Sequence, residues 1–300
     1  MRYSQATTAD LGRDCNIIWK VGHGRSLDLR GRGHIMAIVN VTPDSFSDGG
    51  RFVDEGRAVD HGLACVEAGA AILDIGGEST RPGATEVTAS EEQDRVLPVI
   101  EQLAKRTEAL ISIDTYRAET ARLALAAGAH IINDVHGLHR EPDIASIAAK
   151  AGAGLCIMHT GRGREAEILP DVIADQMKFM RTALAIADAA GLHREGIVLD
   201  PGFGFAKNSH HDLELMARFE ELRGLGLPLL AGTSRKRFIG GVTGRELAAD
   251  RDVGTAATTV LLRLAGAAIF RVHNVAANWE ALAVADAVLA ARRHADGDAE

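Results

Sequence analysis

Short apolar runs alternate along the chain with longer stretches of mixed polarity. The runs are His34–Asn40, Ala71–Ile75, Leu110–Asp114, His130–Asn133, Gly154–His159, Gly196–Asp200, Pro228–Gly232 and Ala267–Arg271. Brevity and Ile/Val/Leu content suit strands buried on both faces of a parallel sheet. Between the runs the apolar period lengthens. Ala58, Val59, Leu63 and Val66 share one face of a helix over about 54–68. Ser90 followed by Gln93 reads as a capping box opening the next helix, and Pro98 predicts a kink within it. Pro142 sits near the start of a helix over about 141–150, where proline is tolerated. The longest predicted helix runs from about Asp171 to Ala190 and is closed by Gly191.

Eight strand–helix units predict an α/β fold of the (β/α)8 TIM-barrel type. A doubly wound open sheet uses the same alphabet, but no Gly-x-Gly-x-x-Gly follows the first strand. Residues 1–33 form an extension in which 17–21 and 26–29, separated by Gly22 and Gly24, can pair as a hairpin across the barrel bottom. Residues 34–292 make the barrel domain, and 293–300 are a polar, frayed tail.

Composition narrows the picture. The 300 residues are 46% hydrophobic but only 4% aromatic, with 32 glycines, so the core is built from small aliphatic side chains. A net charge of −8 argues against nucleic acid or an anionic membrane as partner. No apolar stretch approaches the ~20 residues of a membrane span, and no signal-peptide core opens the chain. Three cysteines are too few for a disulfide framework, which predicts reduced thiols and a cytoplasmic protein.

In such a barrel the chemistry gathers at the C-terminal strand ends. Those ends carry Asn40, the loop 78–83, Asp114, Asn133, Met158-His159, Asp200, Lys236, Arg271 and His273. Each polar residue alone is more often a helix cap than a working group, and the combination is what carries weight. Asp114, Asn133 and Asp200 suit a flat, nitrogen-rich ring, because carboxylates accept from ring N–H groups and an amide both donates and accepts. Lys236 can donate to a ring carbonyl. A dedicated metal cage is poorly supported, since no His-x-His lies on a strand and no Glu-x-x-His on a helix. Two cationic segments, GTSRKRFIGG (232–241) and RVHN (271–274), imply an anionic ligand in a protein of negative charge. A solvated rim accounts for Arg235 and Arg237, less so for Arg271 after an apolar run.

The polar loop NVTPDSFSDGG (40–50) is longer than a turn requires. Together with DIGGESTRPG (74–83), SIDT (112–115), IND (132–134), DPGFGFAK (200–207), GTSRKRFIG (232–240) and RVHNV (271–275), it closely resembles the dihydropteroate synthase family. The similarity runs in order and spacing from about Leu27 to Val275. That resemblance implies a transferase joining 6-hydroxymethyl-7,8-dihydropterin diphosphate to p-aminobenzoate. Mg2+ assistance, a homodimer and sulfonamide sensitivity are implied as well. Carried over by position, Asp114, Asn133, Asp200 and Lys236 contact the pterin ring, with Met158 and Arg271 on its faces. Asn40, Arg271 and His273 serve the pyrophosphate, and Asn40 the metal. Phe46, Thr80, Arg81, Pro82 and Phe205 wall the p-aminobenzoate site, with Ser234 near its carboxylate. Asp44 and Asp48 ride on the first loop, and Asp48, Arg271 and His273 are the catalytic candidates.

Some positions depart from the family pattern. His136 stands where a small residue is usual, Asn274 where Asp is usual, and 159–164 is rich in Gly and Arg. Two rival readings are a pterin-dependent methyltransferase, which needs no pyrophosphate site, and a non-catalytic pterin-binding paralogue.

Overall fold

A computed structural model describes residues 18–42, 51–78 and 86–295. Two short strands, β1 (Ile18–Lys20) and β2 (Ser26–Asp28), pair antiparallel. Eight parallel strands follow: β3 (His34–Asn40), β4 (Ile72–Gly76), β5 (Leu110–Asp114), β6 (Ile131–Asp134), β7 (Gly154–Met158), β8 (Ile197–Asp200), β9 (Leu230–Ala231) and β10 (Ile269–Val272). Their order is β8-β7-β6-β5-β4-β3-β10-β9, and a parallel bridge from Leu199 to Leu229 joins the two ends. The sheet is therefore the predicted barrel.

The helices are α1 (Arg51–Glu67), α2 (Ala89–Arg106), α3 (Ala118–Ala126), α4 (Asp143–Ala151), α5 (Val172–Ala189), α6 (Ser209–Ala217), α7 (Arg237–Thr243), α8 (Asp252–Leu264) and α9 (Val275–Ala295). The capping box that opens α2 is not Ser90 with Gln93. Thr88 caps the helix, accepting from the Glu91 amide, while the Glu91 carboxylate takes the Thr88 amide at 2.8 Å. The same three-residue spacing begins two residues earlier, and Gln93 instead reaches Thr120. Helix α2 runs without a break through Pro98. Asp171 caps α5 through the Ala174 amide at 2.7 Å, and Gly191 beyond it takes φ +77°.

Strand side chains alternate between the barrel interior and the helices. Ile35, Ala37 and Val39 of β3 join the core under the helices. Met36 faces inward with Ile72, Leu110, Ile131, Cys156, Val198, Leu230 and Ile269, one from each barrel strand. The hairpin plugs this layer from below with Trp19 and Val21, and Trp19 donates its indole N–H to the Gly196 carbonyl at 2.9 Å. Gly154 is needed for that close approach, because a Cβ there would meet Val21 Cγ1 at 2.7 Å.

Candidate active site

Two residues further along the strands, the inward positions change character. Asp74 stands above Ile72, Ser112 above Leu110, Asn133 above Ile131, Asp200 above Val198 and Arg271 above Ile269. The first four are buried and Arg271 is half-buried. The sequence reading gave Asp74 and Ser112 no role. A charged residue in the middle of an otherwise apolar strand, in phase with the inward face, was the available signal.

This layer is wired around Arg271. Its Nε donates to Asp74 Oδ2 and its Nη2 to Asp114 Oδ2, both at 2.6 Å. Asn133 Nδ2 donates to Asp74 Oδ2 at 3.1 Å. Asp74 Oδ1, Ser112 Oγ and Asn133 Oδ1 are buried with no hydrogen-bond partner. Three such atoms on three adjacent strands form a surface that a polar ligand would satisfy. Burial pushes the Asp114 carboxyl up to about 7, against the pull of Arg271. Asp200 is also raised by burial. Its Oδ1 is taken by the Gly202 amide at 2.7 Å, and its Oδ2 faces Gly232, 3.5 Å from where a Cβ would stand.

Asn40 pairs with Gly76 in the ladder, and Gly76 lies between Asn40 and Asp114. A Cβ there would stand 3.8 Å from Asn40 Oδ1 and 3.7 Å from Asp114 Oδ2. Met158 packs with Phe205, Val135 and Tyr116 in a small apolar cluster at the mouth. Lys236 Nζ lies 4.3 Å from the Phe205 ring centroid and the Arg162 guanidinium 4.8 Å from it. Burial lowers the Lys236 ammonium to about 8, as does the nearby Arg271 charge.

The two cationic segments meet. Ser234 Oγ lies 2.9 Å from His273 Nδ1 and accepts the His273 amide at 3.1 Å. Between Ser234 and Lys236 the backbone turns through Arg235 at φ +58°. Arg235 is not the solvated rim residue expected, since its guanidinium forms a two-pronged pair with Asp252 at 2.7 and 2.9 Å. Asn274 joins the same carboxylate at 2.9 Å, which accounts for an amide at that departure. His136 sits edge-on to Tyr116 at 5.1 Å, and burial holds it down at about 4.

The structure thus brings together Asp114, Asn133, Met158, Asp200, Phe205, Ser234, Lys236, Arg271, His273 and Asn40. Phe46, Asp44, Asp48, Thr80, Arg81 and Pro82 lie outside the described residues.

A family model described as pterin binding enzyme matches residues 36–273. The Escherichia coli K12 protein named dihydropteroate synthase is 44% identical over 275 residues, covering 90% of this chain and 96% of its own. The chain belongs to the dihydropteroate synthase family. Members are transferases of folate biosynthesis. The Bacillus subtilis dihydropteroate synthase is 44% identical over 251 residues, 83% of this chain and 86% of its own. Two solved dihydropteroate synthase structures from Xanthomonas albilineans superpose well. One, with 4-aminobenzoic acid, has TM-score 0.85 and 46% identity over 90% of this chain and 98% of its own. The other, with 7,8-dihydropteroate, has TM-score 0.82 and 43% identity over 90% and 99%.

Proposed function

We propose that this site joins 6-hydroxymethyl-7,8-dihydropterin diphosphate to p-aminobenzoate, giving 7,8-dihydropteroate and pyrophosphate. The observation that carries this reading is the buried polar layer with three partnerless atoms, Asp74 Oδ1, Ser112 Oγ and Asn133 Oδ1. A pterin's amino and ring N–H groups supply the donors that Asp74 and Asn133 lack. Asp114 and Asp200 accept further ring N–H groups, and Lys236 donates to the ring carbonyl. Met158 covers one ring face. Phe205 forms the boundary with the arylamine, whose carboxylate approaches Ser234.

The arylamine nitrogen attacks the pterin methylene, a C–N bond forms, and the C–O bond to pyrophosphate breaks. The nitrogen then loses its extra proton to water or to the departing pyrophosphate. The attacking amine is already neutral, so no strong base is needed beforehand. Positive charge left on the ring is stabilised by Asp114 and Asp200, and negative charge on the leaving group by Arg271 and His273. Arg271 is engaged with Asp74 and Asp114, so serving the phosphates requires its guanidinium to turn or to offer its remaining N–H groups. Asn40 offers a hard amide oxygen that would help hold Mg2+. Among the described residues no three His, Cys, Asp or Glu side chains form a metal cage of their own. When bound, the ion would neutralise charge on the leaving diphosphate.

An exposed apolar stripe supports a homodimer. Val253 and Leu261 on α8 and Val284 on α9 are 84%, 57% and 64% exposed. Light scattering on Leu261→Glu should then report monomer. No described helix is long and apolar enough to cross a membrane. The reduced-thiol reading of its cysteines supports a cytoplasmic enzyme.

Pyrophosphate release from the pterin diphosphate tests the function. It should depend on p-aminobenzoate and be inhibited by a sulfonamide. Methyl transfer from methyltetrahydrofolate would favour the methyltransferase reading, and binding without release the paralogue. Asp114→Asn should weaken pterin binding by ~1.5–3 kcal/mol, the worth of a charge-assisted hydrogen bond. Unchanged affinity in calorimetry would remove Asp114 from the ring contacts.

A further inference from the structure

On the outer side of β7, behind Met158, lies a line of polar side chains that the condensation does not use, with His159 and Asp175 buried and Lys207 half-buried. His159 Nε2 is 2.8 Å from Asp175 Oδ2 on α5, and His159 Nδ1 is 2.9 Å from Lys207 Nζ. Lys207 Nζ also donates to the Gly202 carbonyl at 2.9 Å. An ammonium carries only donors, so Nδ1 accepts from Lys207, and Nε2 carries the ring proton toward Asp175 Oδ2, which is nearer at 2.8 Å than the donor-only Arg164 guanidinium at 3.5 Å. Burial, aided by the Lys207 charge, holds the His159 ring neutral down to about 4. Although burial disfavours its charge, hydrogen bonds from His159 and the Leu169 amide hold Asp175 at about 2. The line therefore reads carboxylate, neutral imidazole, ammonium.

It ends on a segment that needs holding. Gly202 takes φ +63°, and a Cβ there would stand 2.0 Å from the His159 carbonyl oxygen. Ala206 takes φ +53°, a left-handed conformation costing a residue with a Cβ on the order of 1–2 kcal/mol. Between them lies Phe205, whose carbonyl accepts from the Gly161 amide at 3.4 Å. The segment starts at Asp200, oriented through the Gly202 amide at 2.7 Å. Strain beside two substrate-facing groups persists only where the surroundings over-determine it.

We propose that Asp175, His159 and Lys207 form a positioning relay that fixes the Asp200–Lys207 segment, presenting the Asp200 carboxylate and the Phe205 ring together. The relay rests on the ring-binding reading of Asp200 given above. None of its three members touches substrate. It couples the pterin and arylamine subsites, because one anchor sets the side chain that serves each.

The test compares Lys207→Met, Lys207→Arg and Asp175→Asn with the parent enzyme. Calorimetry with the pterin diphosphate alone gives its Kd, and steady-state assays give KM for p-aminobenzoate and kcat. Lys207→Met should raise both Kd and KM roughly tenfold, the scale of one lost charged hydrogen bond, with kcat changing less. Lys207→Arg should recover most of both, since a guanidinium can reach the same two acceptors, and Asp175→Asn should fall between. A Met variant with lowered Tm but unchanged Kd and KM overturns the relay, as does an Arg variant no better than Met. If Lys207→Met does not fold, 15N NMR of the parent enzyme still decides. His159 should remain the Nε2–H tautomer from about pH 5.5 to 7.5, and an Nδ1–H tautomer overturns the proposal. Asp200→Asn separates the two readings: unchanged pterin affinity there sinks the ring assignment, while the His159 tautomer still judges the relay.

Discussion

Inside the barrel two layers of side chains sit two residues apart on the same strands, and they are built to opposite rules. The lower layer, from Met36 through Ile72 to Ile269, is apolar, closed and capped by Trp19. The upper layer substitutes Asp74, Ser112, Asn133, Asp200 and Arg271, and leaves three buried polar atoms without partners. A protein needs the first layer to fold and would be more stable without the second. Unsatisfied buried polar groups are tolerated there because a ligand completes them.

The comparison is broken most severely from below. Trp19→Ala should cost about 3–5 kcal/mol in denaturant unfolding, through lost burial and the cavity left behind. Pterin affinity of the folded fraction should stay unchanged. A large loss of affinity would mean the plug shapes the site as well as supporting it.

A subtler change separates the layers from above. Ser112 Oγ is buried and unpartnered, so Ser112→Ala removes a group already paying its desolvation cost. Stability of the ligand-free protein should rise by about 1 kcal/mol, or at least not fall. Calorimetry should show pterin binding weakened at the same time. A variant that loses stability would place a hydrogen bond at Ser112 in the free protein and erase part of the contrast.

The lower layer was legible in the sequence because alternation and apolar content agree there. All eight runs became strands, most within one residue of their predicted ends. The upper layer was legible where polar residues close a predicted run, as at Asn133, Asp200 and Arg271, and so was Asp114 just beyond the layer. It was missed at Asp74 and Ser112, which sit within the runs and look like isolated exceptions until the register aligns them. Asp74 pairs with Ser112 across β4 and β5, which no local pattern reveals. Arg235 was misread for a related reason, since its partner Asp252 opens α8, beyond the helix that directly follows it. The α2 cap was misplaced because Thr88 and Ser90 both offer a hydroxyl three residues before Glu or Gln.

The layers also differ in how they respond to protons. The lower one contains no acid or base that titrates near neutrality, since burial pushes the Cys156 thiol far up. Groups around the upper layer do titrate, and His159 is the cleanest case. Its folded ring takes a proton only at about 4, whereas the unfolded ring takes one at about 6.5. Between those values the unfolded chain binds more protons, so this residue makes stability rise with pH across the window and fall on acidification. His159→Gln should remove that dependence, flattening the pH profile of unfolding free energy by up to ~1.4 kcal/mol per pH unit. Above about pH 7 the change should cost only what the bonds to Asp175 and Lys207 contribute. Parallel pH profiles for parent and variant would mean that the ring is already charged in the folded protein, and the carboxylate–imidazole–ammonium line would have to be redrawn.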